Sequence, residues 1–249
     1  MRFDLRQGLV GLCIAGAAGA MLFVPAVFWI GNLLAPSHPV PSTTHVPPLL
    51  GEAIWARANG GRATALQPLN PITIGRMVGC HVLAERIDDP SERDREHDEC
   101  MTLLPAVEAV GYLATVHMRG GGVWQDPRVP FVQMATIARV TSRWTKAELV
   151  DTLAARGEFT AGFIGAEHAA RGLFGRSPAD LTVPQAALVA AVLGNRRADP
   201  WCEAGAATTM RNRVLAAMRN NGAIDDTQYQ AALVVTLELV PPPAESRCR

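Results

Sequence analysis

The chain has 249 residues, and its 23 Lys and Arg side chains are balanced by 23 Asp and Glu, so its formal net charge is zero. A chain of this length can bury one good-sized core and does not require a second domain. Because there is no net positive field, charge gives no argument for nucleic acid as a partner, and we expect none.

The N-terminal segment has the composition of a membrane anchor. Residues 8–35 carry no charged side chain, and as a helix they would be roughly 40 Å long, enough to cross a bilayer. Pro25 is compatible with a membrane helix. A cleaved signal peptide is the alternative, but its apolar region is normally about 7–15 residues long. We therefore predict a cytoplasmic stub and transmembrane anchor over residues 1–35.

The charges that flank this segment predict its orientation. Arg2 and Arg6 precede it, and no Lys or Arg follows it until Arg57. By the positive-inside rule the N-terminus is cytoplasmic and the main domain is exported. The expected location is the bacterial inner membrane, with residues 36–48 as a Pro/Ser/Thr-rich linker between the anchor and the domain.

The rest of the chain predicts a mainly helical domain, because apolar residues recur at helical spacing and no alternating strand series is present. The charge-rich run at residues 88–99 is expected to be a solvated loop or the start of a helix. The predicted helices cover residues 49–57, 101–118, 131–144, 146–156, 183–193 and 208–220, and residues 72–87 are predicted to be either a helix or a buried segment.

Four cysteines lie outside the predicted anchor: Cys80, Cys100, Cys202 and Cys248. An even number in an oxidising compartment predicts disulfides, although the sequence permits three pairings. We favour Cys80–Cys100 and Cys202–Cys248, because each pair would tie down a loop or a tail.

A zinc site is the alternative use of two of these cysteines. It would combine Cys80 and Cys100 with His81 and His97, but this spacing matches no common zinc pattern. We therefore predict neither a metal nor a cofactor.

Residues 146–232 carry the strongest signal, reading KAELVDTLAARGEFTAGFIGAEHAARGLFGRSPADLTVPQAALVAAVLGNRRADP and, further on, MRNRVLAAMRNNGAIDDTQYQAA. This stretch resembles the C-terminal half of the family 51 glycosyltransferases, the peptidoglycan transglycosylases. The resemblance implies a lysozyme-like, transglycosylase-type helical domain over residues 49–240, with an insertion at about 81–128 and a tail at 241–249.

The family's motifs contain two catalytic glutamates, and the resemblance implies that the second is replaced here. Lys146 retains the lysine of the motif Lys-x-x-Ile-Leu-Glu-x-Tyr-Leu-Asn, and Asp151 stands in place of its glutamate, so both are candidates for substrate binding. The family spacing then puts Gln133 at the glutamate of the motif Arg-Lys-x-x-Glu, with Val129 and Pro130 at its basic pair. A carboxamide cannot act as a general base. The Arg-Lys pair that is missing here would supply the positive charges that bind a diphosphate.

The residues upstream can be aligned with the family in two ways, and neither provides a counterpart of the first glutamate. If residues 70–78 are the remnant of the family's Ser-Thr-Ile-Thr-Gln-Gln motif, residues 52–62 form the preceding helix and the segment with the glutamate is deleted. The other alignment sets Ala58 and Asn59 on the family's Glu-Asp pair. We therefore assign no catalytic residue. Four acids outside any motif are possible replacement bases: Glu52, Glu85, Glu108 and Glu158.

Three hypotheses about function follow from these observations. In the first, a transglycosylase-like domain without catalysis is a structural or accessory subunit of a membrane assembly, with protein partners and the insertion as the expected contact. In the second, the chain is a divergent peptidoglycan glycosyltransferase that polymerises lipid II with an unrecognised acid. In the third, it binds a lipid-linked glycan without polymerising it.

Overall fold

The structure is a computed structural model that describes residues 25–26, 28–35, 37–60, 65–69, 71–101, 106–120, 129–194 and 199–242. These residues are mainly helical, as predicted, and their extended pairing is limited to a single antiparallel bridge between Glu158 and Ile164. Ten helices, numbered here in chain order, follow a short helical stretch at residues 28–34. They are α1 (Pro48–Asn59), α2 (Pro71–Ala84), α3 (Pro90–Met101), α4 (Val107–Gly120), α5 (Val129–Arg143), α6 (Lys146–Arg156), α7 (Ala166–Phe174), α8 (Val183–Ala191), α9 (Ala204–Asn220) and α10 (Asp226–Val234).

Helix α8 lies at the centre of the core. Its sequence VPQAALVAA is apolar on every side, and Ala186, Ala187, Ala190 and Ala191 are completely buried. Because these side chains are small, α1 and α9 both pack directly against this helix, with α7 and α10 alongside. The C-terminal half of the chain therefore forms one core together with α1.

A glycine with positive φ lies at each end of α7. Gly165 precedes the helix with φ 84°, and Gly175 ends it with φ 65°. Both values lie in the left-handed region that glycine adopts without strain. The two glycines therefore allow the sharp turns at both ends of α7.

Several helix boundaries differ from the predictions. The helix predicted over 101–118 is two elements, since α3 ends at Met101 and α4 begins at Val107 after Ala106, whose φ of 68° is left-handed. The charged run at 88–99 contributes to α3 and is therefore helical from Pro90. Helix α10 was not predicted, because the first part of its sequence DTQYQAALV is polar and its apolar residues span only about one helical turn.

The predicted linker is in contact with the domain over part of its length. The Ser42 N–H donates to Thr152 Oγ1 at 2.9 Å, and the Val46 N–H donates to Asp151 Oδ1 at 2.9 Å. Helix α1 then begins at Pro48. Residues 42–46 therefore lie along α6 before the chain enters the core.

The predicted anchor falls mostly outside the described residues, since residues 1–24 and 27 are not among them. Within the described part of the chain, no helix combines the length and the apolar character needed to cross a membrane.

Helices α2 and α3 form a hairpin that packs mainly on itself. The predicted Cys80–Cys100 disulfide joins them, with the two Cα atoms 5.6 Å apart. This bond contradicts the alternative zinc site, because both thiols are consumed. Cys202 is also disulfide-bonded, but Cys248 lies outside the described residues, so the Cys202–Cys248 pairing stays a prediction.

We expect removal of this disulfide to destabilise the hairpin locally. Closing a ring across 20 residues contributes about 3 kcal/mol in the chain-entropy view. In the C80S/C100S variant, hydrogen exchange should therefore accelerate in α2 and α3, while α8 keeps its protection. Equal loss of protection in α8 would contradict the local role of the hairpin.

Candidate functional site

Lys146, the first residue of α6, is held by an ion pair. Its Nζ lies 2.7 Å and 2.8 Å from the two carboxylate oxygens of Glu52 on α1. It also lies 5.5 Å from the ring centre of Trp55, which is buried. Both partners are one turn apart on α1, so the lysine joins the start of α6 to the middle of α1.

The first turn of α6, which carries Lys146, is stabilised by a capping box. Thr145 caps the helix by accepting a hydrogen bond from the Glu148 N–H, and the Glu148 side chain accepts one from the Thr145 N–H at 2.7 Å. This reciprocal capping satisfies two backbone donors at the helix end. The first turn, and with it the lysine, is therefore fixed locally by Thr145 and Glu148.

Asp151 lies one turn further along α6 and is 6% exposed. Its Oδ1 accepts a hydrogen bond from the Val46 N–H at 2.9 Å, and its Oδ2 lies 2.7 Å from His45 Nδ1. A buried carboxylate must have its lone pairs satisfied, and here the chain segment just before α1 satisfies them. Asp151 therefore ties residues 45–46 to the domain.

Gln133, at the position of the family's second glutamate, is half-buried between α4 and α5. Its Nε2 donates to Thr115 Oγ1 at 3.3 Å and lies 3.5 Å from the Gly111 carbonyl oxygen. Both acceptors belong to α4, which is part of the predicted insertion. A carboxylate at this position would have no proton to donate to either oxygen, so the amide suits these contacts.

The main cavity near these helices lies between α1, α4 and α9. It has a volume of about 550 Å³, and Arg57 and Glu108 also line a smaller cavity of about 70 Å³. Its polar lining residues are Arg57, Glu108, Arg213 and Asn220.

The four possible replacement bases are in different surroundings. Glu52 is paired with Lys146, and Glu158 Oε2 lies 3.7 Å from Arg119 Nη1. Glu85 is exposed at the end of α2. Glu108 alone of the four lines the cavity described above, with its Oε1 3.8 Å from Arg57 Nη2 and its side chain 80% exposed. A hydrated pair of this kind is held weakly.

Sequence reasoning missed the partners of these residues. His45, Thr115 and Arg57 contact Asp151, Gln133 and Glu108 respectively. Thr115 and Gln133 are 18 positions apart in sequence, and His45 and Asp151 are 106 positions apart. No local sequence pattern could therefore have indicated these contacts. The three motif positions do not converge on one cavity; each contacts a different element.

No group of three or more His, Cys, Asp and Glu side chains able to hold a metal is present among the described residues.

We expect the buried Asp151 carboxylate to stabilise the fold. In Asp151→Ala the Val46 N–H loses its acceptor, which should lower the free energy of unfolding by about 1–3 kcal/mol. Asp151→Asn keeps an oxygen for this bond and should recover most of the loss. Urea unfolding and hydrogen exchange at residues 42–46 measure both effects. If the Ala and Asn variants were equally stable, the bond to Val46 would not be the cause.

The family comparison agrees with the C-terminal core described above. Residues 128–219 match the family model described as Transglycosylase, a stretch that runs from the start of α5 to the end of α9. It contains Gln133, Lys146 and Asp151 and overlaps most of the resemblance read from the sequence. No curated protein matches the chain significantly. Over residues 128–219 the chain is therefore similar to a transglycosylase domain.

Proposed function

We propose that this glycosyltransferase-like protein is a membrane-anchored, non-catalytic member of its family that acts as a structural or accessory subunit of an inner-membrane assembly. The main observation in favour is that the three motif positions are occupied by groups with intramolecular partners. Gln133 contacts α4, Lys146 contacts Glu52, and Asp151 contacts His45 and Val46.

The chemistry of glycosyl transfer explains why these contacts matter. A general base has to take a proton from the attacking hydroxyl, and cations have to meet the leaving diphosphate. At the position of the second glutamate the chain has an amide, and the basic pair is replaced by Val129 and Pro130. Lys146 keeps the positive charge of the lysine in the family's motif, but this charge is already paired with the Glu52 carboxylate. A fold can persist without such groups, because fold and activity are separable.

The α2–α3 hairpin supports a role in contacts with other proteins. Val82 and Leu83, which are adjacent near the end of α2, are 53% and 63% exposed, although both are apolar. Apolar side chains grouped on one exposed element are typical of interaction surfaces. This hairpin belongs largely to the predicted insertion, which is where we expect a partner of the assembly to bind.

A divergent enzyme is the second candidate, and Glu108 is the observation that favours it. This carboxylate lines the cavity of about 550 Å³ next to the Arg57 guanidinium. A carboxylate and a cation at one cavity could in principle supply a base and a diphosphate contact. In that case Glu108→Gln should abolish activity, whereas Glu85→Gln, also at an exposed acid, should not.

Polymerisation of labelled lipid II by the full-length protein distinguishes these two functions, with an active family member as the positive control. We expect no glycan chains from the wild type, because no general base is found at the position of either family glutamate. The loss of a general base commonly lowers such a rate about 10²–10⁴-fold. Gln133→Glu should also be inactive, since it restores neither the first glutamate nor the basic pair.

Chains made by the wild type would contradict the non-catalytic proposal. Neutralising Glu52, Glu85, Glu108 and Glu158 one at a time would then identify the base. Chains made only by Gln133→Glu would show that one amide is the whole cause of the inactivity.

A further inference from the structure

A second cavity, of about 280 Å³, lies where the segment before α1 meets the start of α7. Its wall is formed by residues 44–47, by one side of α6 including Asp151, and by residues 164–168 together with Pro178. It shares no lining residue with the cavity between α1, α4 and α9. Cavities for drug-sized ligands usually measure about 300–1,000 Å³, so this one suits a small molecule or a single side chain.

The His45 ring lies in the wall of this cavity with one of its nitrogens already engaged. Its Nδ1 is 2.7 Å from Asp151 Oδ2, and because an ionised carboxylate only accepts hydrogen bonds, Nδ1 carries the proton. In the neutral ring Nε2 is then an acceptor. The His45 side chain is 86% exposed, so this second nitrogen is open to a ligand.

His168, near the start of α7, lines the same cavity and has the same tautomer. Its Nδ1 lies 2.8 Å from the Ile164 carbonyl oxygen, which can only accept a hydrogen bond. The Nε2 atom is therefore a second acceptor, and it belongs to an exposed residue. Among the residues that the structure describes, none hydrogen-bonds to Nε2 of either ring.

The charges in the wall of the cavity are negative. Asp151 and Glu167 contribute two carboxylates, and none of the described lining residues is Lys or Arg. One oxygen of Glu167, Oε1, accepts a hydrogen bond from Arg171 Nε at 2.6 Å. This pair is exposed and therefore weakly held, and Arg171 does not line the cavity. The other oxygen, Oε2, is available to a ligand.

We propose that this cavity binds a primary ammonium group. An ammonium has three N–H donors and no acceptor. The wall matches it with three available acceptors, which are His45 Nε2, His168 Nε2 and Glu167 Oε2. The positive charge of the ammonium is also attracted by the two carboxylates, which have no cation among the described lining residues.

The rest of the wall indicates that the ammonium belongs to a lysine side chain. Ala154, Ala166 and Pro178 are buried, apolar parts of the wall, and the alkyl stem of a lysine packs on such a surface while its charge stays at the polar edge. A guanidinium is a planar fork that suits two parallel bonds to one carboxylate, whereas here the acceptors belong to three side chains. A partner protein as the source of this lysine rests on the proposed accessory role; the binding of an ammonium does not.

Saturation-transfer NMR on the full-length protein in a neutral detergent tests the site. The probe is Nα-acetyl-lysine methylamide. The norleucine analogue carries the alkyl chain without the charge, and the arginine analogue replaces the ammonium by a guanidinium. We expect saturable binding of the lysine compound, no saturable signal from the norleucine compound, and a Kd at least about threefold higher for the arginine compound.

The E167Q/H168F variant removes the Glu167 charge and the His168 acceptor, both at exposed positions on α7. The Kd for the lysine compound should rise at least about fivefold, because charge-assisted hydrogen bonds are lost at a partly exposed site. If circular dichroism shows that the double variant does not fold, Glu167→Gln alone is the second variant, with an expected rise in Kd of about two- to fivefold.

The matched control is Glu92→Gln on α3. Glu92 also pairs with an arginine one turn away, with its Oε1 3.3 Å from Arg95 Nη2, and its side chain is 54% exposed against 53% for Glu167. The variant therefore removes the same charge outside the cavity. Its Kd for the lysine compound should stay within about twofold of the wild type, because charge that acts only at long range is screened by salt.

Four outcomes would overturn the proposal. They are the absence of saturable binding by the lysine compound, equal binding of the norleucine compound, equal or tighter binding of the arginine compound, and equal weakening by E92Q and E167Q/H168F. None of them changes the result of the lipid II assay. The ammonium site can therefore fail while the non-catalytic function stands, and it can be present in a protein that proves to polymerise lipid II.

Discussion

The contact of the Asp151 carboxylate with the segment before α1 is the interaction on which the arrangement of the domain depends. One buried carboxylate accepts from the Val46 N–H and meets His45, and the neighbouring Thr152 hydroxyl accepts from the Ser42 N–H. These bonds hold the chain along α6 just before it enters the core as α1. Because α1 packs against α6, α8 and α9, the position of this segment affects the whole core.

The same logic applies to the other two motif positions. Lys146 joins α6 to α1 through Glu52, and Gln133 joins α5 to α4 through Thr115. Three positions at which the family resemblance implies substrate chemistry thus connect different segments of this chain. A polar residue satisfied by the protein itself is less available to a substrate, since each new contact would have to replace an existing one.

Much of the helical core could be predicted from sequence, because its signals are local. The apolar run of α8, the capping residues of α6 and the cysteines that join α2 to α3 lie within short segments. The site could not be predicted in the same way. Glu108 meets Arg57, and Asp151 meets His45, only after helices far apart in sequence have packed. The break at Ala106 was missed because the apolar pattern before and after it is helical.

The most direct test of this account compares the unfolding temperatures of the wild type and Lys146→Met, with and without a short-chain lipid-linked glycan precursor. Loss of the partly exposed ion pair with Glu52 and of the contact with Trp55 should cost about 1 kcal/mol. We predict that the variant is less stable than the wild type by the same amount in both conditions, because Lys146 serves the fold. Equal stability without precursor, together with stabilisation by precursor of the wild type alone, would show instead that Lys146 binds substrate.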